Sequence, residues 1–251
     1  MLEFPRTDWA DAARNSAALQ VHLLGSVDFE SFLRVQECLA SEIAARTDRR
    51  GILLVCEHPP VITIGRNGSL ADILVEDREL RSRKLTIRQI SRGGGTMLHG
   101  PGQLALYPLL PLDRLKTTVA AYRQCLAEAA LKTAQELEIP AELTTTPWGA
   151  AGRYGQFALV GASVRSWISH FGLYLNVSLP AATLSPVHWG IESERLTSLS
   201  ALRMRPIGMA QARESVIRHL AGLLGYEQFH LHTGHPLLRP VRRPTYVHTE
   251  V

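Results

Sequence analysis

A glycine-rich segment in the middle of the chain holds the residues best suited to chemistry. Residues 92–103 read RGGGTMLHGPGQ and place five glycines between an arginine and a glutamine. Consecutive glycines adopt backbone conformations closed to other residues and let a ligand approach the main-chain amides. Arg92 adds a positive charge and His99 adds a titratable donor. The segment predicts a binding loop, and the alternative is a flexible turn between strands.

The spacing of these glycines excludes two common phosphate-binding loops. A Walker loop needs Gly-Lys-Ser/Thr, which the segment lacks, and a dinucleotide fingerprint needs a helix directly after its glycines. Residues 104–110 are instead apolar and typical of a strand.

Other reactive side chains are few and scattered. Cys38, Cys56 and Cys125 are odd in number, widely spaced and placed in predicted helices or strands. We expect all three to be ordinary core residues, with no disulfide framework and no metal site. His188 is a candidate base, although a structural or surface role is the simpler interpretation for it and for His170.

Hydrophobic periodicity supplies the elements that position these residues. Apolar spacing and end signals predict helices over 28–46, 117–138 and 209–224. Short β-rich runs predict strands over 52–56, 61–64, 85–90, 104–110, 157–164 and 172–177. Residues 140–155 are rich in Thr, Gly and Pro and predict a loop. The order of elements indicates an α+β fold, a mixed sheet covered by a few long helices.

Length and composition set the broad class. The chain has 251 residues, of which 45% are hydrophobic, enough for one large core. Apolar runs are too short to span a bilayer, and no signal peptide is visible at the start, so we expect a cytoplasmic protein. We expect one domain over 1–225 and a Pro/Arg/His-rich tail over 226–251.

The charge balance predicts an acidic partner or a solvated arginine-rich surface. The net charge is +4, and only three of the 27 basic residues are lysines, namely Lys84, Lys116 and Lys132. Nucleic acid is not the expected partner, because no stacking platform or recognised binding motif is present.

Residues 92–110, RGGGTMLHGPGQLALYPLL, resemble the signature of the lipoyl(octanoyl)transferases, the LipB-type family of the lipoate/biotin protein ligase superfamily. EHPPVITIGRNG at 57–68, the paired strands at 157–177 and WGIESERLTSL at 189–199 resemble further segments of that family. The likeness runs from about 24 to 224. It implies an α+β domain with a mixed sheet around a pocket, similar to class II aminoacyl-tRNA and biotin synthetases.

The resemblance also implies an activity and its partners. The family moves an octanoyl group from acyl carrier protein to a lysine of a lipoyl domain, in lipoate biosynthesis, without a cofactor or metal. A cysteine accepts the acyl group as a thioester, and a lysine favours the thiolate. It further implies a substrate pocket lined by Arg92, Gly93, Gly94, Gly95, Thr96, Met97, Leu98, His99, Leu159, Val160, Gly161, Gly172, Leu173 and Tyr174.

Both reactive groups of the family are replaced in this chain. Trp189 stands at the cysteine position and Gln156 at the lysine position, and the chain has no cysteine after Cys125. The sequence therefore predicts a catalytically degenerate protein that binds an acylated carrier or a lipoyl domain. The alternative is an active octanoyltransferase that uses a noncovalent route, with His99 or His188 as the base.

Overall fold

A mixed eight-stranded sheet forms the centre of the molecule. The computed structural model describes residues 18–180, 183, 186–188 and 195–238. The strands are β1 (Leu19–Ser26), β2 (Ile52–Glu57), β3 (Val61–Ile64), β4 (Thr86–Gln89), β5 (Thr96–His99), β6 (Gln103–Leu109), β7 (Ala141–Thr145), β8 (Trp148–Gly152), β9 (Gly155–Val160), β10 (Ser163–Arg165), β11 (Ile168–His170), β12 (Leu173–Asn176) and β13 (Phe229–Thr233). The large sheet has the order β13-β1-β2-β6-β12-β9-β8-β7, a second sheet has the order β4-β3-β5, and β10 pairs with β11.

Helices cover both faces of the large sheet. They are α1 (Phe29–Ala45), α2 (Asp77–Ser82), α3 (Val119–Glu136), α4 (Leu199–Arg203) and α5 (Met209–Leu223). Side chains of α3 and α5 pack with Leu53 and Val55 in one apolar cluster, whereas Phe32 of α1 packs with Leu54 and Tyr107 in another. Coverage on both faces explains why the central strands are apolar without alternation.

The long helices and the sheet confirm the predicted α+β class. Asp28 caps α1 by accepting a hydrogen bond from the Ser31 amide, and Thr118 caps α3 in the same way through Ala121. Strands β1, β2 and β13 are mutually parallel where they pair, while β2, β6, β12 and β9 pair antiparallel, so the sheet is mixed.

Three segments differ from their predictions. The predicted loop over 140–155 is a hairpin of β7 and β8 that joins the sheet through β9, because its threonines, Trp148 and small residues fit a ladder despite the intervening Pro147. The predicted tail begins inside the sheet, since β13 pairs in parallel with β1. The rest of the predicted tail, residues 239–251, lies outside the described residues. The pairing of β13 with β1 does not test the predicted domain boundary at 225.

The predicted strand over 157–164 is interrupted after Val160. β10 follows at Ser163 and turns into β11 through Ser166 and Trp167, both with positive φ. Such a turn matches the twist of a two-residue hairpin. No helix among the described residues is long and apolar enough to cross a membrane.

Candidate functional site

The glycine loop, residues 92–95, is held firmly against the turn that follows β3. The amides of Gly65, Arg66 and Asn67 donate to the carbonyls of Gly95, Arg92 and Gly94 at 3.0–3.2 Å. Gly94 has a φ of +81°, which favours glycine. A Cβ on Gly65 would lie 2.4 Å from the Gly94 oxygen, so only glycine allows the two segments to meet. The loop is therefore fixed by main-chain contacts.

Arg92 places a buried positive charge behind this loop. Its side chain is 0% exposed and donates to the Thr63 carbonyl and hydroxyl, both at 2.8 Å from Nη2, and to the Gly93 carbonyl at 2.9 Å. No carboxylate within the described part of the chain pairs with it. Burial lowers the pKa of Arg92 from its usual high value. The local potential therefore favours a ligand with negative charge or an electron-rich oxygen.

His99 is part of a buried chain of hydrogen bonds. Its Nδ1 lies 2.7 Å from Gln103 Oε1 and its Nε2 lies 2.9 Å from the Thr63 hydroxyl, which also accepts from Arg92. Nδ1 must donate to the amide oxygen, so Nε2 accepts the Thr63 proton. Burial, His58 and Arg92 hold the pKa of His99 well below its ordinary value. The imidazole is thus neutral, and both ring nitrogens have partners inside the protein.

This series of hydrogen bonds continues across neighbouring strands of the large sheet, from β6 to β12. Gln103 donates to Asn176 at 2.9 Å, and Asn176 donates to the Thr197 carbonyl at 3.1 Å. Thr197 in turn donates its amide to the Gln156 carbonyl at 2.9 Å. The glycine loop is therefore connected through hydrogen bonds to the strand that carries the predicted lysine position.

A cavity of about 530 Å³ opens in front of the glycine loop. We call it the glycine-loop cavity. Its charged lining residues are Arg66 and Arg123, with no acidic residue in the described lining. The guanidinium of Arg123 stacks 4.4 Å from the ring centre of Trp148. The amides of Gly94 and Gly95 have no partner among the described residues. The cavity therefore combines cationic walls with available main-chain donors.

Gln156, at the predicted lysine position, is buried beside this cavity. Its Nε2 lies 2.9 Å from the Thr144 hydroxyl, 3.0 Å from the Ala158 carbonyl and 3.2 Å from the Pro147 carbonyl. Its Oε1 has no hydrogen-bond partner in the described structure. The nitrogen thus sits among three acceptors, an environment that also suits an ammonium group.

Trp189, at the predicted cysteine position, lies outside the described residues. His188 lies next to it in the chain, and its amide donates to the Asp72 carbonyl at 2.6 Å. The neighbouring Val187 packs with the small sheet.

None of the described residues that line the glycine-loop cavity is a cysteine or a lysine. Cys38 is exposed on α1, so the prediction that it is a core residue is wrong. Cys56 and Cys125 are buried as predicted, and burial raises the pKa of both thiols, that of Cys125 to about 12. The three lysines are exposed elsewhere, at positions 84, 116 and 132. The structure therefore brings no substitute nucleophile to the glycine loop from the cysteines.

The predicted substrate-binding residues divide into two groups. Gly93, Gly94, Gly95 and Val160 line the glycine-loop cavity. Thr96, Met97, Leu98 and His99 form the buried strand β5, and Leu159, Leu173 and Tyr174 are buried in β9 and β12. A Cβ on Gly161 would meet Tyr174 at 3.0 Å, and one on Gly172 would meet the Leu106 oxygen at 2.2 Å. Close packing accounts for these two glycines.

Arg66, Arg123 and Trp148 are cavity residues that sequence reasoning did not select. Arg66 lies within the motif at 57–68, so the sequence could have indicated it as a cavity residue. Arg123 and Trp148 meet only because α3 packs beside the β7–β8 hairpin, which no local pattern predicts.

Comparison with known proteins agrees with the resemblance read from the motifs. Residues 28–221 match the family described as the lipoyl protein ligase A/B catalytic domain. The chain is 34% identical to an octanoyltransferase of Geobacter metallireducens over 221 residues, 87% of this chain and 99% of the relative. An octanoyltransferase of Syntrophotalea carbinolica is 33% identical over 207 residues, 82% of this chain and 94% of the relative.

Two solved structures share the fold at low sequence identity. Lipoate-protein ligase A aligns with a TM-score of 0.69 and 16% identity, over 88% of this chain and 90% of that chain. A bipartite lipoate protein ligase of Thermoplasma acidophilum aligns with a TM-score of 0.70 and 14% identity, over 88% and 89%. The predicted lipoate ligase-like fold is confirmed.

Proposed function

Since this chain belongs to the LipB-type octanoyltransferase family of the lipoyl protein ligase A/B group, we propose that it binds that family's substrates without the thioester step. Its partners are an octanoylated acyl carrier protein, a lipoyl domain, or both. The protein holds them in the glycine-loop cavity and does not turn them over by the cysteine route.

One observation carries this proposal. The glycine-loop cavity has main-chain donors and two arginines, yet none of the chain's cysteines or lysines lines it. Acyl transfer through a thioester requires a thiolate at the carbonyl carbon. Removal of a protease's catalytic serine lowers turnover by about a million-fold, although binding and oxyanion contacts persist. Loss of the family nucleophile is expected to separate binding from catalysis in the same way.

The cavity offers a thioester carbonyl a suitable environment. The amides of Gly94 and Gly95 are available as donors, and Arg66 and Arg123 add positive potential. Each methylene of the acyl chain that leaves water contributes about 0.8 kcal/mol. Binding of an octanoyl group therefore does not depend on a covalent bond.

The histidine-assisted alternative has weaker support from the geometry. His99 is 0% exposed, and its two ring nitrogens are already paired with Thr63 and Gln103. A general base must reach the proton it removes, directly or through one water. Of the two candidate bases, His188 therefore remains.

Intact-mass spectrometry tests the proposal. The protein is incubated with octanoyl carrier protein and an unmodified lipoyl domain, with the Geobacter metallireducens relative as the active control. We expect the carrier or the domain to bind this protein in a parallel titration, while the lipoyl domain gains no octanoyl group. Multiple-turnover octanoylation would contradict the proposal and favour the noncovalent route.

A further inference from the structure

A second cavity of about 560 Å³ lies between α1 and the β10–β11 ribbon. We call it the α1 cavity. Leu33, Ile90 and Phe171 form its apolar part. Ser163 lines both this cavity and the glycine-loop cavity. A single extended ligand that passes Ser163 would reach both.

His170 gives the α1 cavity an unused hydrogen-bond acceptor. The side chain is 7% exposed and lines the cavity. Its Nδ1 lies 3.0 Å from the Ile168 carbonyl, which can only accept, so Nδ1 carries the proton. Burial lowers the pKa of His170 and keeps the ring neutral. Nε2 then holds a lone pair, and no donor in the described structure reaches it. A hydroxyl or amide N–H of a ligand would satisfy it.

The rim of the α1 cavity carries a net positive charge. Arg165 pairs with Glu37, while Arg34 donates to the Ser31 hydroxyl at 2.8 Å and forms no ion pair with a described carboxylate. Arg34 has a longer-range electrostatic interaction with the Asp28 carboxylate, but its guanidinium makes no close ion pair within the described part of the chain and lies beside an apolar floor. A ligand with an anionic end, internal hydrogen-bond donors and a slender body fits this arrangement.

We propose that the α1 cavity binds the phosphopantetheine arm of the acyl donor. Such an arm has a phosphate for Arg34 and hydroxyl and amide donors for His170, and its thioester end can pass Ser163 to reach the glycine loop. This inference rests on the proposed function, because it assigns the route by which the donor enters the same site.

Cys38 provides a built-in reporter for this cavity. It lines the α1 cavity and is exposed, whereas Cys56 and Cys125 are buried. A thiol reagent is therefore expected to modify the native protein at one position, and Cys38→Ser removes that reaction. The probes are S-methyl coenzyme A, which carries the arm without the acyl chain, and octanoyl carrier protein. Neither has a free thiol on its arm.

We expect either probe, at saturation, to slow the modification of Cys38 at least about fivefold. His170→Phe should weaken binding of S-methyl coenzyme A about tenfold, and His170→Gln should restore part of it through its amide oxygen. Arg34→Ala should weaken binding in a salt-dependent way, while the exposed Arg153→Ala, which lies outside the cavity, should not.

The outcomes separate this inference from the proposed function. If labelled octanoyl carrier binds and the reactivity of Cys38 does not change, the arm lies elsewhere and only this inference fails. If the carrier does not bind, the proposed carrier function fails. Protection of Cys38 by S-methyl coenzyme A then decides whether the α1 cavity binds the arm. Protection by S-methyl coenzyme A but not by the carrier would assign the site to free coenzyme A derivatives and overturn the carrier-arm assignment.

Discussion

The glycine loop and strand β9 lie beside the same cavity but carry different functional groups. On the loop side, Arg92 and His99 are completely buried, and their polar atoms are joined through Thr63. On the β9 side, the neutral amide of Gln156 stands at the predicted lysine position, and its oxygen has no described partner. In our proposal, the loop side supplies polar groups that orient a ligand, while the β9 side lacks a group that reacts. The proposal therefore treats binding and bond formation as separable.

The largest expected effect comes from the loop side. Gly65→Ala places a Cβ 2.4 Å from the Gly94 carbonyl oxygen and 2.7 Å from Arg92 Nη1. We expect a loss of about 3 kcal/mol in the free energy of unfolding, because main-chain atoms must shift. Urea denaturation measures this loss. Gly222→Ala is the control, since a Cβ there meets nothing within 4 Å and the residue lies in α5. Equal stability of the two variants would mean that the loop is not tightly held.

On the β9 side, two substitutions of Gln156 test which side chains its surroundings accommodate. Gln156→Leu removes one donor from the Thr144 hydroxyl and from the Pro147 and Ala158 carbonyls, although the Thr144 hydroxyl still donates to the Pro147 carbonyl, and we expect a loss of about 2 kcal/mol. Gln156→Lys keeps a donor for the same acceptors and should cost less. Denaturation curves of both variants measure the difference. If Gln156→Lys is the more destabilising, the site does not accommodate an ammonium.

Acid should weaken the loop side through its buried histidines. Burial lowers the pKa of His58 from 6.5 to about 4, and that of His99 also falls. The unfolded state then binds more protons, so this stability is present above about pH 6.5 and is lost as the pH falls towards 4. Removing His58 by His58→Gln should reduce the slope of unfolding free energy against pH by up to about 1.4 kcal/mol per unit. An unaltered slope in the His58→Gln variant would contradict the assignment.

The smallest expected effect concerns ligand affinity. Arg123→Ala removes the cation stacked on Trp148 at the cavity wall and should weaken binding of octanoyl carrier protein about fivefold, less so at high salt. Isothermal titration at two salt concentrations measures this change. Arg153→Ala is the matched control, and an equal loss in that variant would point to general surface charge.

Hydrophobic periodicity and composition were sufficient to predict the elements whose own residues show a clear pattern. The apolar stripe within 28–46 and the runs at 52–56 and 61–64 predicted α1, β2 and β3, and the glycine loop was recognised from its composition. The β7–β8 hairpin and β13 were missed, because their strand character comes from pairing with β9 and β1. Arg123 joins Trp148 only in the folded chain, so no sequence spacing could indicate the pair.

Intact-mass spectrometry of a double variant tests the central claim most directly. Gln156→Lys combined with Trp189→Cys restores both reactive groups, and Gln156→Lys with Trp189→Ser is the control. The introduced thiolate attacks the thioester carbonyl, and the pantetheine thiol leaves, so the acyl group moves to the protein. We predict a hydroxylamine-sensitive octanoyl adduct on the thiol variant and none on the unaltered protein or the serine control. A folded, carrier-binding thiol variant without an adduct, or an adduct on the unaltered protein, would contradict the account.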